Sequence, residues 1–148
     1  SLARAGTPVG VLLARALKAK HTDDVKHYSI SIVRDRGIDK AALQHIAESG
    51  RPADSIIFVD GWTAKGVINR ELKQAVADWN LNSSYQISDE LCVISDLSGH
   101  ADYIATADDY AIPSGVLNST VSGLLSRTLI LNDLPGFHQC ICYSHLAN

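Results

Sequence analysis

No stretch of this chain is apolar for the roughly 20 residues that a membrane-spanning helix needs, which excludes such a span within it. There is also no basic start followed by an apolar core and a small-residue cleavage site, so nothing reads as a secretory signal. Positive charge is not in excess. The formal net charge of -3 offers no basic face of the kind that non-specific nucleic-acid binding requires, and there is no strong nucleic-acid signature. Cysteine is scarce and odd in number. Cys92, Cys140 and Cys142 have neither the count nor the spacing of a disulfide scaffold, and C-x-C without a second pair does not make a tetrahedral zinc site. Internal repeats, low-complexity tracts and domain linkers are absent as well. The expected compartment is the cytoplasm, with no membrane partner.

What is present is an ordinary globular composition, 46% hydrophobic and 20% charged over 148 residues, enough for one domain spanning 1–148 with a real core. Ser1-Leu2-Ala3 reads as the last part of a strand, and residues 137–143 read as strand again, so the domain is expected to be an internal piece of a longer protein.

Residues 55–67 organise the reading. Ile56, Ile57, Phe58 and Val59 form a short apolar run of the kind buried in a parallel sheet, and Asp60 ends it. A small-residue turn, Thr63-Ala64-Lys65-Gly66, then opens a helix expected over residues 65–79, whose first backbone N–H groups are free to meet an anion. Elsewhere, apolar residues at 9, 12, 13, 16 and 17 predict a helix, with Lys18 near its carboxyl end where the dipole favours a cation. Residues 27–33 alternate as a strand. Asp39 caps a helix running through Ala47 and closed by Gly50, and residues 91–95 form a fourth strand. A helix is expected over residues 117–130. The order β-α-β-α-β-α-β-α implies an open, mostly parallel α/β sheet with flanking helices.

In such a sheet the carboxyl ends of the strands share one edge, so residues 4–10, 34–39, 60–66 and 96–100 converge there. The first loop has small residues that allow close backbone approach, and the second carries two guanidinium groups suited to phosphate. The third brings an acid, a hydroxyl and a lysine.

These loops carry a resemblance. The pairing of Arg4-Ala5-Gly6 with Ile57-Phe58-Val59-Asp60-Gly61 and its Thr/Gly turn resembles the type I phosphoribosyltransferases. More narrowly, four stretches resemble the phosphoribosyltransferase-like proteins of tellurite-resistance and stress operons, some of them labelled cysteine protease StiP. They are residues 1–10 (SLARAGTPVG), 27–39 (HYSISIVRDRGID), 58–66 (FVDGWTAKG) and 112–128 (IPSGVLNSTVSGLLSRT). The resemblance implies a type I phosphoribosyltransferase-like fold. It also implies an enzyme that uses phosphoribosyl pyrophosphate and a base-like acceptor to make a stress-related ribonucleoside. Under it, Arg4, Ala5, Gly6 and Thr7 hold pyrophosphate and its Mg2+, with no metal bound directly by side chains. Asp60, Gly61, Thr63, Ala64, Lys65 and Gly66 hold the ribose phosphate. Asp60, Arg34 and Arg36 are the catalytic set, the two arginines on a closing loop, and Asp96, Ser98 and His100 face the acceptor. The partner is a small-molecule phosphoribosyl substrate, and a homodimer is admissible.

One departure is plain: the family's second acid is replaced by Gly61, so one ribose-binding carboxylate is missing. This departure supports an alternative, a non-catalytic regulator binding the same ligand, and the family's other label adds a second, lower-ranked one, a cysteine protease. A catalytic thiol needs a base within hydrogen-bond reach and an electropositive, partly exposed setting. Cys92 falls mid-strand and reads as a structural thiol, while Cys140 and Cys142 lie near the carboxyl end. The family often carries a cysteine just before Leu117, where this chain has Val116. Asp108, Asp109 and Tyr110 read equally as a ligand contact or a solvated loop. The isolated histidines His21, His45, His138 and His145 read as structural.

Overall fold

The computed structural model describes residues 1–3, 5–20, 24–109, 128–129 and 136–140. Among these, eight strands and three α-helices form a mixed α/β fold with parallel strand pairing. β1 (Leu2–Ala3) pairs in parallel with β2 (Ile30–Val33), and β2 pairs antiparallel with β3 (Gly37–Ile38). β4 (Phe58–Thr63), β5 (Leu91–Asp96) and β6 (Tyr103–Thr106) form a parallel three-stranded sheet in that order. β7 (Thr128–Leu129) pairs antiparallel with β8 (Gln139–Cys140).

The helices follow from apolar spacing. In α3 (Val67–Asn82) the buried Leu72, Ala75, Val76 and Trp79 recur every three to four residues, which lays one stripe against the strands. α2 (Lys40–Ala47) begins at Asp39, whose Oδ1 accepts the Ala42 N–H at 2.9 Å, and buries Leu43 and Ala47. Both stripes meet Leu2, Ile30 and Ile38 of the first sheet and Phe58, Leu91 and Val93 of the second in one core cluster. A fully buried Leu contributes on the order of 1.5–3 kcal/mol, so Leu2, Leu43, Leu72 and Leu91, all almost wholly buried, tie the two sheets together.

Several expected boundaries are corrected. α1 starts at Gly6 and runs to Lys20, so most of the expected loop 4–10 is helix. Pro8 fits there because the first turn's N–H groups have no intrahelical partner to lose. β4 continues past Val59 through Thr63, which puts Asp60 inside the strand instead of at its end. The sheet is not uniformly parallel, since β3 reverses. After β5 no helix intervenes: residues 97–102 return the chain directly to the parallel strand β6. The helix expected over 117–130 falls mostly outside the described residues, but Thr128 and Leu129 are strand.

Candidate functional site

The predicted edge does bring loops together. Gly6 opens α1 against the backbone of β4, so tightly that a Cβ there would lie 2.9 Å from the Asp60 Cα and collide with the Val59 carbonyl oxygen. Residues 64–66 form the bend between β4 and α3, and residues 97–101 the loop after β5. These two loops interlock: the Ser98 hydroxyl donates to the Ala64 carbonyl, and the Asn69 amide donates to the His100 carbonyl. Gly66, at φ +61°, caps α3 in the left-handed region, and the His100 ring lies directly over it.

Two buried acids here are shifted in opposite directions. Asp60 is 8% exposed, and burial pushes its carboxyl up to about 6, against the lowering effect of the Gly61 N–H that it accepts at 2.7 Å. Burial would also raise Asp96, but backbone amides win. Its Oδ1 accepts from Ser98 and Gly99 at 2.9 and 3.0 Å, its Oδ2 accepts from Ala101 at 2.7 Å, and its carboxyl is held below the usual range. Asp96 is thus occupied in folding its own loop. Ser98 and His100, expected with it, are exposed.

The remaining expected residues are spread differently. Arg4 lies outside the described residues, as do Tyr110, Val116, Leu117, Cys142, His21 and His145. Ala5 is in the turn before α1, and the Thr7 hydroxyl is bonded to that of Ser29 at 2.6 Å. Gly61 and Thr63 are buried strand residues, whereas the Lys65 side chain is exposed. Arg34 and Arg36 are exposed on the tight β2–β3 hairpin. The Glu71 carboxylate of α3 accepts the Asp35 and Gly37 N–H groups at 3.2 and 3.0 Å and pins that turn. Glu71 gave no sequence signal, because its partners are backbone amides brought to it only by packing.

A second constellation was missed. Asp39 uses Oδ1 to cap α2 and Oδ2 to accept the His138 backbone N–H at 2.7 Å, while His138 Nδ1 lies 3.1 Å from the Ser31 hydroxyl oxygen. The cap was legible from sequence, but the contact across 99 positions was not. Cys92, half-buried in mid β5, has its thiol pushed up by burial, and among the described residues no imidazole is hydrogen-bonded to it. A cavity of about 300 Å³ lies away from these loops, lined by Leu13, Leu17, Ile46, Ile56, His27 and Arg51 among others. Among the described residues no cluster of three or more His, Cys, Asp or Glu could hold a metal ion. None of their helices is long and apolar enough to cross a membrane.

The profile of the family described as tellurite-like stress resistance cysteine protease StiP matches residues 1–148. A curated protein of Acinetobacter baylyi named cysteine protease StiP is 44% identical over 159 aligned positions, covering 99% of this chain and 40% of that protein. The chain therefore spans about two fifths of the relative's length. No solved structure matches. These findings overturn the transferase as the main reading, since both names denote a cysteine protease, the alternative that the sequence analysis ranked below it. The phosphoribosyl and Mg2+ roles expected at Arg4–Thr7 and Asp60–Gly66 lose the activity that assigned them. The match along the whole chain places this protein in the tellurite-like stress resistance cysteine protease StiP family.

Proposed function

We propose that this chain forms part of a cysteine protease of tellurite-like stress resistance, with Cys140 as nucleophile and His138 as its base. The observation that carries the reading is the 44% identity, across 99% of the chain, to a protein named cysteine protease StiP. Geometry narrows the choice of thiol. Burial raises the Cys92 thiol, which disfavours the thiolate that must attack. Cys140 follows His138 by two residues, and His138 is the imidazole anchored at both backbone and ring. In the tautomer that donates Nδ1–H to Ser31, Nε2 is the nitrogen that accepts the thiol proton. The thiolate sulfur then bonds to the peptide carbonyl carbon, the C–N bond breaks, and the proton passes to the departing amine. Water releases the acyl group and restores the thiol.

The test uses the full-length protein, an iodoacetamide probe and a fluorogenic protein substrate. Cys140→Ala is expected to abolish both substrate cleavage and the fast labelling, and Cys92→Ala to leave both intact. Cleavage that survives Cys140→Ala but not Cys142→Ala would move the nucleophile. Cleavage that survives replacement of all three cysteines would end the reading.

A further inference from the structure

β6 is the terminal strand of its sheet, paired to β5 on one side and to no described strand on the other. Alternate backbone N–H and C=O groups of a terminal strand face outward, a template for one more strand. Proteins usually blunt such an edge with charge or proline, yet β6 reads Tyr-Ile-Ala-Thr. Tyr103 and Ile104 are 49% and 47% exposed, so both faces of the strand carry uncovered apolar surface. The charge lies just beyond the strand ends, and it is of one sign. Asp102 precedes it, Asp108 and Asp109 follow it, and Glu90 accepts the Tyr103 hydroxyl at 3.2 Å. Among the described residues only Lys73 is ion-paired with any of these acids, at 3.2 Å from Asp102.

From this arrangement we infer that β6 is a docking edge for an extended segment of another protein, apolar at its centre and basic at both ends. Such a segment adds to the sheet by backbone hydrogen bonding, lays apolar side chains on Tyr103 and Ile104, and meets the flanking acids with cations. A second copy fits poorly in the register centred on Ala105. Antiparallel self-pairing about Ala105 sets Asp102 of one copy opposite Asp108 of the other, and directly opposed like charges destabilise a strand pair. The inference does not depend on the protease reading, because it uses neither His138 nor any cysteine.

The experiment takes the full-length protein and a fluorescein-labelled peptide, Lys-Lys-Val-Thr-Val-Thr-Val-Lys-Lys. Two control peptides replace every Lys by Glu, or the central Val by Pro. Anisotropy reads binding, and hydrogen exchange reads the amides of Tyr103–Thr106. The expected result is saturable binding of the lysine peptide with slowed exchange at those amides, and no binding of the glutamate peptide. Asp108→Asn with Asp109→Asn should weaken binding by about tenfold, the effect of two modest surface charge pairs. Four outcomes would overturn the proposal. They are no binding, equal binding by the proline peptide, slow exchange at the outward-facing Tyr103 and Ala105 amides in the free monomer (an edge covered by the chain itself), or a dimer that protects those amides.

Discussion

Replacing Asp60 by Asn should stabilise the protein at neutral pH, and the size of the effect follows from burial. Asp60 is 8% exposed in mid β4, and its carboxyl is raised from 3.8 to about 6, chiefly by desolvation. For an acid with a raised folded-state pKa, the native state holds the proton more tightly than the unfolded chain. The associated stability is fully present below the unfolded value and is lost as pH rises through the folded one. At 1.36 kcal/mol per pKa unit, the loss is complete above pH ~7 at about 3 kcal/mol, and about half of it has occurred by pH 5. Asn keeps an oxygen for the Gly61 N–H, which isolates the charge. Urea unfolding of both proteins from pH 4 to 8 reads the difference, and titrating groups not coupled to Asp60 cancel to first order. Asp60→Asn should lie within about 0.6 kcal/mol of the parent at pH 4 and exceed it by about 3 kcal/mol at pH 8, a midpoint shift on the order of 1–2 M urea. Parallel pH profiles, or a less stable variant at pH 8, would refute the claim that Asp60 is buried against its charge.

Two further perturbations probe the packing. Gly6→Ala drives a Cβ into the β4 backbone, where no rotamer can move aside, so the variant should lose about 1–3 kcal/mol and melt several degrees lower in a thermal scan. An unchanged melting temperature would mean that α1 does not rest on β4 as described. Asp39→Ala removes the α2 cap and the acceptor of the His138 N–H together, and should cost about 1–3 kcal/mol in denaturant unfolding. In the full-length protein the same change should slow the proposed substrate cleavage, with partial rescue by Asp39→Asn, which keeps one of the two acceptor oxygens.

Local chemistry made much of the framework legible. The α3 stripe, the Asp39 cap and β5 are each written in residues within a few positions of one another, so pattern and element coincide. The misses share a different cause. Gly6-Thr7-Pro8 resembles a loop by composition, and helix begins there because β4 gives Gly6 a surface on which to pack. Gly61, Trp62 and Thr63 have no strand run of their own, and they stay in register because β5 supplies partners through Thr63↔Asp96. β6 was hidden because parallel strands are ordinarily joined by a dozen or more residues, and here residues 97–102 suffice.

By itself, then, the sequence determined an α/β chain with a parallel-strand core, the helix capped at Asp39, and a family likeness carried by four short stretches. It also limited the available thiols to three. Tertiary structure decided which groups remain chemically free. Asp96 and Asp60 look alike as acids after apolar runs. Packing folds backbone amides onto the first and leaves the second buried with a single amide, because desolvation and hydrogen bonding depend on three-dimensional surroundings that no local pattern records. The same holds for His138, an isolated histidine in the sequence that only the fold sets against Ser31 and Asp39.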